Sequence, residues 1–386
     1  MKKKAVMSIL IALSMLMFLP AAQAQDVLKI GGLMTTSGPA AHLGKVCLNG
    51  VNMKVNEVNA AGGIKVGDKQ YKVEYINYDD KCSAKDSVSA TERLIQNDKV
   101  PVIMGAICSH CTLADMQVTE KAEVPLVTPI SSSVKITTMG YKYIFRTWSQ
   151  AAVQAETICR FAVQDLQLKK CAYLGRNDAW SRSAAKEFQK RMKLMGGEVV
   201  ATEFYELGTT DFYPQLTKIK AAKPDFIYFC SLTEDGALAV KQAREIGITS
   251  QFMGTDEMGN EQMLKVAGNA IVGAYLYFTQ GPPSAATNAY VKKYKEKYKI
   301  ESNAIDKGGY DTIGLILDAI QRAGTVTDGE KIRQALSDTN YEGVKQKYSF
   351  TKSGQARINM FIVKVEKTGA KPIKSMDVYS NPSAPL

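Results

Sequence analysis

Residues 105–112, GAICSHCT, gather the side chains best suited to redox or metal chemistry in this chain. Cys108 and Cys111 are spaced C-x-x-C, with Ser109 and His110 between them, and His110 is one of only 2 histidines. A dithiol redox site needs this motif at the start of a helix that follows a strand. The apolar run 100–106 and the helical pattern after 112 meet that requirement. A zinc site on Cys108, His110 and Cys111 would crowd three ligands into four residues and need a fourth from elsewhere. With His42 as the other histidine, the supply is too small for most catalytic or metal schemes. No G-x-x-x-x-G-K-[ST], H-E-x-x-H or G-x-S-x-G occurs, and Gly31-Gly32 lacks the dinucleotide spacing. The expectation is a protein without catalysis, cofactor or metal. A secreted thiol redox protein is the remote alternative.

The chain's start and totals narrow the setting. Lys2, Lys3 and Lys4 precede an apolar run over 5–19, then Pro20 and Ala22-Gln23-Ala24. This pattern predicts a signal peptide over 1–24, cut after Ala24, and a soluble product exported to the periplasm. The apolar run is short for a membrane span, and no cysteine before Cys47 invites lipoprotein processing. The three leader lysines account for part of the formal charge of +11, so the mature chain keeps +8. That surplus is dispersed, as in Lys292-Lys293-Tyr294-Lys295, and no arginine-rich patch with interleaved aromatics points to nucleic acid. Seven cysteines in an exported chain predict disulfides, with at least one thiol left over.

These residues need elements to position them. Strand patterns at 27–34, 71–78, 100–106 and 125–128 alternate with helices over 44–61, 83–97 and 112–122. After Ile144 the cycle restarts, with strands at 170–175, 198–204, 225–230 and 251–254 between helices near 150–166, 182–196, 212–222 and 234–246. A strand from Ile271, helices near 284–298, 305–323 and 328–338, and a strand-rich tail over 348–365 follow. Two such series predict an α/β protein of two doubly wound parallel-sheet lobes. Ligands of such sheets bind beyond the carboxyl ends of the strands. That rule selects the loops 35–44, 108–112, 129–133, 176–183, 231–234 and 255–260, which hold both histidines.

In order and spacing, LMTTSGPAAHLG, NAAGGI, YDDKC, GAICSHCT, VTPISSS and FMGTDEMGN resemble the periplasmic branched-chain amino acid-binding proteins, the leucine, isoleucine and valine binders of ABC importers. The resemblance covers essentially the whole mature chain. It implies a type I periplasmic binding protein fold, with three strands crossing a hinge near 143–149, 275–281 and 343–349. The N-terminal lobe would be 25–145 plus about 278–346, and the C-terminal lobe 146–277 plus about 347–386. It also implies a Cys82–Cys108 disulfide, which makes Cys108 a strut and the C-x-x-C spacing a coincidence. Cys111 would then lie near Cys47, so a second bond between those two is a further expectation.

The resemblance carries over a ligand site as well. Ser109, Ile130, Ser131 and Ser132 match the family's contacts to an amino acid carboxylate. Asp256 stands where the family has a glutamate that pairs with the ammonium. Trp180, Leu43 and Leu232 fall at or near family tyrosines, with His42 beside Leu43. The implied function is binding of an amino acid, aliphatic or aromatic, by hinge closure of a monomer that docks on ABC permease subunits. An amide, a urea-like compound or an aromatic carboxylate is the alternative ligand, and a sensor the alternative role.

Overall fold

The computed structural model describes residues 26–38, 40–280 and 283–378. The expected leader and its cleavage point lie outside them. The first sheet runs in the order β2-β3-β1-β4-β5-β6. These strands are β1 (Asp26–Leu33), β2 (Ile64–Val66), β3 (Lys69–Asn77), β4 (Ile103–Gly105), β5 (Leu126–Thr128) and β6 (Ile144–Arg146). All its pairings are parallel except the β2–β3 hairpin. Helices α1 (Ala41–Ala60), α2 (Ala84–Gln96) and α3 (Ser109–Ala122) connect the strands.

Successive side chains of a strand point to opposite faces, so a sheet covered on both sides needs apolar residues at every position. Leu28, Ile30, Met104 and Val127 pack in one core with Val46, Cys47 and Val51 of α1. Leu33, Ile103 and Leu126 pack in another with Leu94 of α2 and Cys111 and Met116 of α3. The sheet therefore stands between Cys47 and Cys111. Both are buried free thiols, and the second disulfide expected between them is not formed.

The second lobe contains β7 (Lys170–Arg176), β8 (Glu198–Tyr205), β9 (Phe226–Cys230), β10 (Gln251–Gly254) and β11 (Tyr275–Phe278). Helices α4 (Ala151–Arg160), α5 (Ala179–Leu194), α6 (Tyr213–Ala221), α7 (Thr233–Glu245) and α8 (Glu261–Ala267) flank these strands in chain order. Cys171 and Tyr173 face the core of α4 and α5, while Ala172 and Leu174 face that of α6 and α7.

Three later helices follow: α9 (Ala285–Tyr298), α10 (Ala304–Ala323) and α11 (Gly329–Ser337). Helix α10 returns to the first lobe and lies tightly on α1. A Cβ on Gly50 would come 1.9 Å from the Asp306 carbonyl, so this crossing requires glycine. A short hairpin follows, β12 (Tyr341–Glu342) with β13 (Lys347–Tyr348). The segment after it stays beside the first sheet, because Gln355 bridges to Arg146 and Phe350 packs edge-on against Phe145. Residues 350–356 thus lie along the last strand of the first sheet. The chain then adds β14 (Met360–Glu366) and β15 (Gly369–Met376), antiparallel, to the second sheet's β15-β14-β11-β10-β9-β7-β8 order. Strand β15 is an exposed lysine-rich edge with Pro372 near a register shift. Edge strands tolerate such residues, which is why the apolar pattern does not reveal it.

Asp115 on α3 gives a test of the packing. Ser87 Oγ donates to its Oδ2 at 2.6 Å. Burial pushes this carboxyl up to about 7, against the hydrogen bond from Ser87. A carboxyl raised in the folded state weakens the fold as pH climbs from its unfolded value, 3.8, to the folded one. Asp115→Asn removes that titration. Its gain in stability over wild type is expected to grow between pH 4 and 7, by about 1–4 kcal/mol in all, and to level off above. Paired thermal melts across that range check it.

Candidate functional site

Both sheets have a point where the strand order reverses, between β1 and β4 in one and between β7 and β9 in the other. Loops diverge there and leave a crevice at the strand ends. On the first lobe the loop after β1 is clamped from below. Asp79 accepts from Thr36 N–H (2.8 Å) and from Ser37 Oγ (2.6 Å), and Asp80 accepts from Thr35 Oγ1 (2.5 Å). Burial opposes the Asp79 charge, but the bonds from Ser37, Thr36 and Lys81 outweigh it and bring the carboxyl to about 2. Gly44 lets α1 start against this loop, since a Cβ there would lie 1.7 Å from the Thr35 carbonyl. His42 and Leu43 are thereby held in the first turn of α1.

The C-x-x-C stretch resolves into separate jobs. Cys82 and Cys108 are disulfide-bonded. Cys108 is the N-cap residue of α3, so the helix begins at Ser109 rather than 112. His110 Nε2 lies 2.8 Å from the Cys82 carbonyl and braces the bond. Cys111 is a buried core thiol whose proton burial holds on. Among the described residues, no group of three or more His, Cys, Asp or Glu is arranged to hold a metal ion.

Ser109 Oγ accepts from the N–H groups of Ser132 and Ser133, both at 3.2 Å. A hydroxyl that accepts twice is polarised to donate its own proton. Ser131 has a different role. The residue is 1% exposed and its hydroxyl bonds the Ala106 and Ile107 carbonyls and Thr112 Oγ1, which ties the loop to β4. Ser132 Oγ donates to the Ile130 carbonyl and accepts from Gln154 Nε2 of the second lobe. The fully buried Arg146 holds this loop through the Ser133 carbonyl (2.7 Å) and the hinge through Gln355 Oε1 (2.6 Å). Val134 N–H donates to Ser183 Oγ of α5 at 3.3 Å, so the two lobes touch here. Trp180 lies half-buried in the same first turn of α5, packed on the first core.

Beside this contact, a cavity of about 1040 Å³ opens between the lobes. His42, Leu43 and Ala304 line it from the first lobe, and Leu232, Asp256 and Glu257 from the second. It is thus His42, Leu43, Leu232 and Asp256 that share one chamber. Ser109, Ile130, Ser131, Ser132 and Trp180 stand outside its lining, at the lobe contact. Asp256 lies in the turn after β10, where Thr279 Oγ1 donates to its Oδ2 at 3.2 Å. Burial raises the carboxyls of Asp256 and Glu257, while the Lys345 ammonium works in the opposite direction. Sequence reasoning missed Glu257, Gln280 and Lys345. Nothing in GVKQKYS marks one lysine as internal, because its burial comes from residues far off in the chain.

Two doubly wound lobes, crossed three times and separated by a lined cleft, define a bilobal binding protein that holds its ligand between domains. The chain belongs to the periplasmic binding protein family, whose model matches residues 27–370. It is 28% identical over 338 residues to a leucine-, isoleucine-, valine-, threonine- and alanine-binding protein of Pseudomonas aeruginosa, across 86% of this chain and 88% of the relative. It superposes on a leucine-binding protein of Thermotoga maritima with TM-score 0.83 at 25% identity, covering 92% and 100% of the two chains. It also superposes on a Rhodopseudomonas palustris solute-binding protein in complex with 3,4-dihydroxybenzoic acid, with TM-score 0.82 at 27% identity, covering 93% and 99%.

Proposed function

We propose that this chain is the exported substrate-binding component of an ABC importer, a monomer that closes on an amino acid and delivers it to permease subunits in the inner membrane. The observation that carries the ligand class is Asp256, a carboxylate set into the wall of an otherwise mixed cavity between the lobes. An ammonium needs such a partner, and a simple carboxylic acid is repelled by it. The ligand's carboxylate would go to Ser109 and the Ser132 turn at the N-terminus of α3, where N–H groups and the helix dipole favour an anion. Leu43, Leu232 and Trp180 supply apolar surface for its side chain. Closure is a shift between open and closed forms, so the ligand must touch both lobes. A sensor role would use the same closure.

The relative that holds 3,4-dihydroxybenzoic acid supports a second reading, an aromatic carboxylate. A thermal-shift screen of ligand-stripped protein separates them. Amino acids at 100 times Kd are expected to add about 2.7 kcal/mol of stability, and the matching deaminated acids none. Shifts with aromatic acids alone would keep the importer role and reverse the assignment of Asp256.

A further inference from the structure

Lys345 lies in the turn between β12 and β13, and its backbone is fixed from α10. Val344 N–H and Lys345 N–H donate to the two oxygens of Asp311 at 2.7 and 2.8 Å, and Tyr348 Oη reaches the same carboxylate at 3.2 Å. The side chain then runs across the Trp148 indole, with Nζ 3.6 Å from the ring centroid. The residue is 5% exposed, yet its ammonium has no hydrogen-bond partner. Among the described residues, no carboxylate stands within ion-pair distance of it.

A buried ammonium without a partner is among the least favourable arrangements a side chain can take. Methionine would cover Trp148 equally well without that cost. The indole face offsets part of the desolvation, but it is only a weak acceptor for the three N–H donors. Burial pushes this lysine down to about 7, and the charges that act on it come from both lobes: Asp256 and Glu257 from the turn after β10 and Asp311 on α10 favour the ammonium, and Lys307 on α10 opposes it. Asp256 and Glu257 also line the inter-lobe cavity. Lys345 is therefore within electrostatic reach of the carboxylate assigned to the ligand's ammonium, without a direct ion pair to it. Gln280 Oε1, in the wall of the same cavity, is likewise buried without a donor. The wall of the cleft thus offers buried acceptors, and the Lys345 side chain is buried outside that lining.

We propose that Lys345 is a specificity-determining anion subsite, and that the ligand is an amino acid bearing a second acidic group, which Lys345 takes when the lobes close. The inference rests on the amino acid reading above and narrows it. The ammonium lies against Asp256 and Gln280, one carboxylate against the Ser109–Ser132 turn, and the second against Nζ above Trp148. Closure then gives the Lys345 ammonium the anionic partner it lacks as well as burying the ligand, which favours the closed form only for acidic ligands.

The test is calorimetric titration of the ligand-stripped mature protein with matched pairs. L-aspartate, L-glutamate and L-2-aminoadipate are set against L-asparagine, L-glutamine and L-norleucine. At least one acidic member is expected to bind about ten-fold or more tightly than its neutral partner, the effect of one charge-assisted hydrogen bond. In Lys345→Met that preference disappears while the neutral partner's affinity stays within a few-fold, and Lys345→Arg keeps part of it. A wild-type preference for the neutral members overturns the proposal, whether or not the methionine variant folds, and leaves Lys345 as an internal counter-ion to Asp256. Binding of glutarate or succinate without any amino acid, lost in Lys345→Met, retains the Lys345 subsite and removes the ammonium role of Asp256. The two readings therefore fail separately.

Discussion

Asp256→Asn is expected to weaken amino acid binding by roughly 100-fold or more while leaving the fold intact. The size follows from what the substitution removes. A desolvated ammonium facing a carboxylate makes charge-assisted bonds, and truncating one side costs about 2–5 kcal/mol, because the other charge is left buried and unpaired. Asparagine preserves the shape and can still accept from Thr279 Oγ1, so the turn after β10 keeps its main side-chain bond. Burial already raises this carboxyl in the absence of an ammonium. Neutralising it is therefore expected to hold or raise the melting temperature of ligand-free protein, not lower it. Titration calorimetry reads the affinity and a thermal melt reads the fold. An unchanged Kd would show that Asp256 does not hold the ammonium, and would move it to Glu257 or Gln280 or replace it with a ligand that has no amino group.

Loss of the Cys82–Cys108 bond should produce the largest effect on stability. The two cysteines are 26 residues apart in sequence. Closing a loop of that length removes unfolded-state entropy worth about 3–4 kcal/mol in the chain-entropy model. Position adds to length. Cys108 is the N-cap residue of α3, and Ser109 follows it directly. The His110 contact with the Cys82 carbonyl depends on the same geometry. The Cys82→Ser/Cys108→Ser double variant is therefore expected to lose stability and ligand affinity together, with the affinity loss smaller than that of Asp256→Asn. Denaturant titrations of wild type with and without reductant give the first quantity, and calorimetry gives the second. Equal midpoints in both redox conditions would show that the bond adds no net stability through the unfolded state.

Much of the architecture is legible in the sequence, because its signals are local and periodic. Apolar runs long enough for doubly covered strands, helix patterns between them and a restart after Ile144 require no tertiary information. The loops at the strand ends follow from the same pattern, and they hold His42, Leu43, Leu232 and Asp256, which the fold brings to one cavity. Strands β2 and β15 are missed because they lie at sheet edges, where burial on both faces is not required.

The remaining decisions belong to the tertiary structure. Two cysteines on α1 and α3 read as a possible pair, but a β-sheet stands between Cys47 and Cys111, and which side a helix takes is set by the order of strands. Ser109 and Ser131 read alike in sequence. One keeps a proton to donate, and the other has its hydroxyl engaged by two carbonyls, because only the latter faces β4. Lys345 resembles its neighbour Lys347 in every local respect. One is exposed and the other lies under Trp148 with no hydrogen-bond partner for its Nζ, since burial depends on an indole 197 positions earlier and on α10. Sequence alone sets the elements and the loops that meet. The partner of each polar group in those loops is set by long-range packing, which local composition does not encode.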